Sequence, residues 1–406
     1  MNSKTVRLLL YSDSPDFGGH EVMTLRILEH LLETGEFTIS FIYSPRNGRL
    51  EGELTAIQSR FLELVLRPSS YTSGRLQMLR TPVAIGALRR IRELMRRFRP
   101  DCVIAIQGEI GLSSLGVLAG IREGVLTISY IPAAHTRRQR GDSRFPRLKD
   151  MILSLYYRLP SRYITISEKM GMMLRERGAR QPIDVVENGV DPSVFQRIDK
   201  RLAREHLGLP QADFLTALCG RIEFKQKGFD VLLRALEGRM REFNEWTFLV
   251  VGDGPDRQQL QATIEKLNLA HKVKILAWQQ SMSLIYSSVD LVVIPSKYEG
   301  VPAVMLEAMY YGLPIVGSAV DAMAELLPGE WLFPVGDSDA LADAMLRVRS
   351  MDNDRFLERN KHVVATRFTV ERQKREFARV LFQCTEQVAK SKSEDRGKVD
   401  TILPGN

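Results

Sequence analysis

Residues 6–32, VRLLLYSDSPDFGGHEVMTLRILEHLL, decide how the rest of the chain is read. Val6–Tyr11 is a short apolar run that ends in a polar, glycine-bearing turn, Ser12–His20. Val22, Leu25, Leu28, Leu31 and Leu32 then recur at helical spacing and form one broad apolar face. The alternation continues outward from there. Thr38–Tyr43 is β-branched and aromatic, as a strand requires, and Leu88–Phe98 reads as an Arg-rich helix. Arg99-Pro100-Asp101 stops that helix before the apolar strand Cys102–Ile106. Gly124–Ile131 and Tyr163–Ile166 are expected strands, with helical Leu148–Tyr157 between them. Strand and helix in alternation predict a parallel sheet covered by helices on both faces.

Around Asn188–Asp199 the periodicity lapses into a linker, and then the pattern restarts. Phe214–Gly220, Thr247–Gly252, Val273–Leu276, Leu291–Pro295 and Pro314–Gly317 are expected strands, and Val231–Leu236 sits in a helix. The predicted class is α/β, with two doubly wound Rossmann-like domains facing each other across a cleft that is the default ligand site. Residues 1–195 form the expected first domain and 196–365 the second. A helix over 366–387 is expected to pack back on the first domain. Residues 388–406 are expected to be a disordered tail, since Lys390, Lys392, Glu394, Asp395, Arg396 and Lys398 leave almost no apolar residues there.

The 406 residues can bury a large core without staples, and their formal charge of +8 is a modest excess that does not indicate nucleic acid. Cys102, Cys219 and Cys384 stand far apart, which excludes a disulfide framework and fits a reducing compartment. The longest stretch free of Asp, Glu, Lys and Arg is Ile275–Val289, too short and too polar to span a membrane. The N-terminus carries no secretory signal pattern, so a cytoplasmic protein is expected, with attachment to a membrane surface left open.

Two constellations carry chemistry. In Ile294-Pro-Ser-Lys-Tyr-Glu-Gly-Val-Pro-Ala-Val-Met-Leu-Glu-Ala-Met309, a buried strand runs into a turn holding Glu299, then a helix holding Glu307. If that helix starts near Val301, its first amides point back toward Glu299, where oxygen-rich or anionic groups are attracted. Acidic side chains and free amides suit the hydroxyls of a sugar and a ribose; the plainer reading is a surface loop and a solvated helix residue. Second, Gly220-Arg221 closes a strand, and Lys225, Lys227 and Gly228 follow at the head of the next helix. Arg and Lys brought together past a strand's carboxyl end can clamp a diphosphate. Singly, each reads as a solvated cation.

The run Gly220–Asp230, with Val250-Val-Gly-Asp-Gly-Pro255, Val289–Ser296 and Glu299-Gly…Leu306-Glu-Ala-Met309, resembles retaining glycosyltransferases of family 4 with the GT-B fold. Asn188-Gly-Val-Asp191 looks like that family's hinge signature, and Asp16-Phe-Gly-Gly-His-Glu21 is similar to its N-terminal glycine-rich loop. The resemblance implies transfer of a hexose-type sugar, with retention, from a nucleoside-diphosphate-sugar to an unidentified acceptor in polysaccharide, glycolipid or glycoconjugate synthesis. By that resemblance Arg221 and Lys227 bind the donor diphosphate, and Gly18 and Gly19 let the first domain's backbone approach it. Glu299 and His135 are the implied catalytic residues beside the donor sugar, whose hydroxyls meet Gly300, Val301, Pro302 and Ala303. Glu307 takes the ribose hydroxyls, and Leu276, Ala277 and Trp278 border the base. His135 is equally readable as structural.

This chain has Asp321-Ala322 where relatives often carry Gly-Gly. Asp337-Ser-Asp339 and Asp352-Asn-Asp354 resemble the metal motif of other transferases but read as helix caps and loop. No metal and no cofactor is therefore expected. Arg89, Arg90, Arg92, Arg96 and Arg97 on one helix suggest peripheral contact with an anionic membrane or an acceptor phosphate, against the alternative of a solvated face. Two other functions stay open: a nucleotide-sugar-binding assembly protein without transfer activity, and a nucleotide-sugar epimerase of the same fold. A dinucleotide dehydrogenase is disfavoured because Gly252-Asp-Gly254 lacks the third glycine.

Overall fold

The computed structural model describes residues 5–74, 77–141, 145–279 and 281–400, and resolves two units. The first unit holds β1 (Val6–Ser12), β2 (Phe37–Tyr43), β3 (Leu64–Pro68), β4 (Cys102–Ile106), β5 (Leu126–Tyr130), β6 (Arg162–Thr165) and β7 (Ile183–Val185). Their order in the sheet is β3-β2-β1-β4-β5-β6-β7, with every neighbouring pair parallel. The second unit holds β8 (Phe214–Cys219), β9 (Trp246–Val251), β10 (Val273–Leu276), β11 (Leu291–Ile294), β12 (Ile315–Ser318) and β13 (Leu332–Phe333). Its order is β10-β9-β8-β11-β12-β13, again all parallel.

Central strands read as unbroken apolar runs because helices cover both faces of each sheet. Leu8, Leu9 and Tyr11 of β1 and every residue of β4, β9 and β11 are buried accordingly. In both sheets the strand order reverses beside the first strand, between β1 and β4 and between β8 and β11. Loops that leave a sheet there part to opposite sides and open a crevice at the carboxyl ends, where ligands of such sheets bind.

The unit boundaries differ from the expected 1–195 and 196–365. The first unit comprises Met1–Arg137, Arg144–Glu187 and the chain from Gln373 onward; the second comprises Arg138–Ser143 and Asn188–Arg372. The stretch read as a linker belongs to the second unit, because Val190 bridges Thr369 and its amide donates to Phe368 O at 2.8 Å. A Cβ on Gly189 would lie 2.4 Å from the Thr369 backbone, so this close pairing needs glycine. The expected helix 366–387 is instead two helices, Asp354–Arg367 and Val370–Asp400, broken at Phe368-Thr369 where that bridge forms. Phe377, Val380, Leu381 and Cys384 of the last helix are buried in the first unit, where Phe382 meets Phe37 and Phe377 meets Tyr130.

Residues 388–400 are helical where a disordered tail was expected. Lys, Glu, Gln, Arg and Ala favour helix, and a helix already nucleated by packing extends through them without an apolar face. Residues 401–406 lie outside the described residues. No described helix is long and apolar enough to cross a membrane.

Candidate active site

In the second unit, β8 delivers Gly220-Arg221 and β11 delivers Ser296–Glu299 to the same reversal point. Three loops are pressed together there by glycines. A Cβ on Gly252 would fall 2.0 Å from Gly220 O, and one on Gly228 would fall 1.9 Å from Pro295 O. Both residues also have positive φ, +149° and +68°, which side chains rarely adopt.

Against this backbone stands an ion pair. Lys227 Nζ lies 2.6 Å from Glu299 Oε1, and Ser296 Oγ donates to the same oxygen at 2.7 Å. The Glu299 side chain is 8% exposed and that of Lys227 21%, so the pair is largely desolvated and its attraction correspondingly strong. Oε2 is left as the acceptor not used by these two donors. The Lys227 ammonium lies beside Gly220, where a Cβ would come within 4.0 Å of Nζ, and Arg221 next to it is exposed. The arrangement offers two cations to an anion arriving at the end of β8, and a carboxylate to hydroxyls beside it.

The helix after the Glu299 turn starts at Ala303, not near Val301, with Pro302 as its N-cap. Proline disfavours helical backbone in the residue before it, so the helix does not reach back to Val301. The amides of Ala303 and Val304 are the helix's unsatisfied donors. Gly300 is partly exposed, Val301 and Pro302 are buried, and Ala303 is exposed. Glu307 lies on that helix, half-buried, with its Oε2 accepting from Tyr286 OH at 2.6 Å. Burial, and then the Glu307 charge, raise the Tyr286 hydroxyl far above its ordinary pKa. The same charge is felt by Cys219 at the end of β8, whose thiol burial pushes up most. Leu276 ends β10, where its carbonyl accepts from Gly252 N at 3.1 Å; Ala277 is exposed and Trp278 is 52% exposed.

Three partners in this network had no signal in the sequence reading: Ser296, Tyr286 and Asp321. Asp321, noted only as a departure, takes a φ of +46° and accepts the Glu299 N–H on its Oδ2 at 2.9 Å. It holds the backbone of the Glu299 turn from across β12.

Gly18, Gly19 and His135 lie in the first unit. Gly18 has extended backbone and caps the helix Gly19–Glu33, its N–H donating to Glu21 Oε2 at 2.8 Å. A Cβ on Gly19 would meet nothing within 4 Å, so the fold itself does not require glycine there. His135 follows β5 and is buried, lining a small cavity with Arg137, Asp150, Tyr157 and Arg177. The Asp triplets are engaged with backbone: Asp337 Oδ1 caps a helix at Ala340 N, and Asp352 Oδ1 accepts from Asp354 N.

Two family models match the chain in succession. One, Glycosyltransferase Family 4, matches residues 17–194, and the other, Glycosyl transferases group 1, matches residues 214–350. This chain is a family 4 glycosyltransferase. Its two parallel-sheet units are the Rossmann-like halves of the GT-B fold. The glycosyltransferase is 28% identical over 264 residues to the lipopolysaccharide core biosynthesis glycosyltransferase LpsD of Rhizobium meliloti, covering 64% of this chain and 68% of LpsD. It is 37% identical over 149 residues to the D-inositol 3-phosphate glycosyltransferase of Segniliparus rotundus, a match spanning 35% of this chain and 33% of that one. Among solved structures, Anabaena HepE in complex with UDP and glucose superposes with a TM-score of 0.73 at 19% identity, covering 93% of this glycosyltransferase and 100% of HepE.

Proposed function

We propose that the chain transfers a hexose-type sugar, with retention, from a nucleoside-diphosphate-sugar held by the second unit. The observation that carries this reading is the Lys227–Glu299–Ser296 set beside Gly220 and Arg221 at the reversal between β8 and β11. Arg221 and Lys227 take the diphosphate, Lys227 turning from Glu299 toward the incoming phosphate. Glu299 and the amides from Gly300 to Ala303 face the sugar, and Glu307, fixed by Tyr286, takes the ribose hydroxyls. The UDP and glucose bound by HepE support a donor of this class. LpsD, named for lipopolysaccharide core biosynthesis, supports an acceptor in polysaccharide, glycolipid or glycoconjugate synthesis. The capping bonds of Asp337 and Asp352 support a diphosphate held by Arg and Lys without a metal or cofactor. Three buried free cysteines fit a cytoplasmic setting.

Calorimetry with UDP and GDP tests the assignment. Arg221→Ala and Lys227→Ala should each weaken nucleoside-diphosphate binding about tenfold or more, the loss of one charge-assisted contact to phosphate. Glu307→Gln should weaken it too, while Glu299→Gln should spare it and lower turnover instead. Unchanged affinity in both cation variants overturns the clamp. Turnover abolished by EDTA and restored by magnesium overturns the metal-free reading.

A further inference from the structure

Fourteen large apolar side chains stand exposed among the described residues, and seven of them fall in two short stretches of the first unit. Leu79, Val83 and Ile85 lie on the helix Gln77–Val83 and at the start of the helix Ile85–Phe98. Phe145, Leu148, Met151 and Leu155 lie at and along the helix Pro146–Tyr156. All seven keep between 51% and 73% of their surface in solvent. Exposed apolar residues are ordinary when scattered; gathered into a patch they mark something that covers them.

The helix Pro146–Tyr156 has two faces. Leu153 and Tyr156 are buried, whereas Leu148, Met151 and Leu155 recur at steps of three and four and form an outward stripe. At 100° per residue, exposed Arg147 falls on one border of that stripe, whereas Lys149 falls between Leu153 and Tyr156 on the buried face. An apolar stripe with a cation at its border suits a helix lying in a membrane interface, where the cation reaches headgroups and the stripe enters the acyl boundary.

The second stretch shares its footing. Thr81 Oγ1 lies 3.1 Å from Ser114 Oγ, which donates to Gly111 O at 3.0 Å, and a Cβ on Gly111 would come within 4.0 Å of Leu153 Cδ2. Both apolar stretches therefore rest on one turn, Gly111–Ser114, just past β4. Along the second stretch charge has one sign, since between Glu63 and Glu93 the chain holds six arginines and no acidic residue; the acids beside the first, Glu109 and Asp150, are engaged by Arg137. The Arg-rich helix itself is partly neutralised, since Arg92 and Arg96 pair with Glu123 and Arg97 pairs with Glu93. Arg89 and Arg90 are exposed and make no ion pair among the described residues.

We propose that these two stretches form one lipid-facing surface, which seats the first unit on an anionic bilayer through Leu148, Met151 and Leu155 with Leu79, Val83 and Ile85 beside them. Charge complementarity selects this occupant: a surface that is apolar in the middle and basic at its borders matches a headgroup layer carrying negative charge over hydrocarbon. Of the expected membrane contact through Arg89, Arg90, Arg92, Arg96 and Arg97, the last three are engaged in ion pairs, and Arg89 and Arg90 join Arg147 in holding the headgroups while the apolar stripe inserts.

Co-sedimentation of the full chain with vesicles of phosphatidylcholine, with and without phosphatidylglycerol, tests this independently of any sugar transfer. The chain should bind the phosphatidylglycerol vesicles, more weakly at high salt, and should ignore pure phosphatidylcholine. Met151→Glu with Leu155→Glu should lower binding about tenfold or more, since each places a charge at the inserted stripe. Arg147→Gln with Arg89→Gln and Arg90→Gln should keep the insertion but flatten the salt dependence. The proposal falls if the wild-type chain ignores anionic vesicles at low salt, or if the glutamate variant binds as well as wild type. It also falls if light scattering shows a dimer that the glutamate variant turns into monomer, because a second copy then covers the face.

Discussion

Asp13 shows what one residue does at the end of a strand. It stands one position past β1, fully buried, with Oδ1 accepting from Ser113 N at 2.9 Å and from the Ser73 hydroxyl, and Oδ2 accepting from Tyr11 OH at 3.2 Å. Burial raises its carboxyl pKa, and the hydrogen bonds offset this only in part. An acid raised in the folded state holds its proton more tightly there than in the unfolded chain, so stability declines as pH climbs from the ordinary carboxylate value through the raised one. Asp13→Asn keeps an acceptor for Ser113 and removes that titration. Its stability relative to wild type should therefore improve between about pH 4 and pH 7, read as urea midpoints at each pH. A difference that stays flat across that range would show that Asp13 titrates normally. Residues of this kind are hard to read in advance. Arg221, Lys227, Glu299 and Glu307 stand in recognisable runs, but Lys227 meets Glu299 across 72 positions and Tyr286 meets Glu307 across 21. No local pattern announces Tyr286 or Asp321; only the fold brings them to their partners.

At the scale of elements, legibility follows burial. β4 matches its expected range, as does the edge strand β10, whose Val273, Ile275 and Leu276 still form an apolar run, and the central strands otherwise differ by a residue or two at their ends. The strands with no signal are β3, β7 and β13, each at the edge of its sheet. An edge strand is covered less, so it needs no apolar run: β3 ends in exposed Arg67-Pro68, and β13 is two residues long. The loops at β8, β9 and β11 are the opposite case, because their packing is backbone on backbone. Gly252→Ala should cost at least about 2 kcal/mol, since its Cβ would require the β8 and β9 loops to part in addition to a disfavoured φ. Chemical denaturation checks this, and hydrogen exchange in Gly220–Lys227 should rise with it. A variant as stable as wild type would mean that these loops separate easily.

Across the whole molecule the last helix is the long-range tie. Phe377, 4% exposed, fills the first unit against Tyr130, and Phe382 meets Phe37 at a tilt of 42°. Phe377→Ala should destabilise the first unit by about 3 kcal/mol, as a large core truncation does. Exchange of the amides in β1 and β5 should quicken while those of β8 and β9 hold, and equal change in both units would sink the assignment of this helix to the first. The two-sheet architecture was legible from the restart of the strand–helix pattern after residue 188, but the true boundaries were not. Val190 and Thr369 pair across some 180 positions, and nothing in either neighbourhood marks the other.

That distant tie also sets an order of events on the ribosome. When Glu187 emerges, all seven strands of the first unit have been made, yet the helix that covers Phe37 and Tyr130 is still to come. The residues up to Arg372 must be synthesised first, which takes roughly 10–40 s at ordinary elongation rates. During that interval a nearly finished sheet carries an uncovered aromatic seam, while the second unit has everything it needs to fold behind it. The half of the protein that is translated first is thus the half that is completed last, and a nascent chain stalled before Gln373 exposes a ready site for a chaperone.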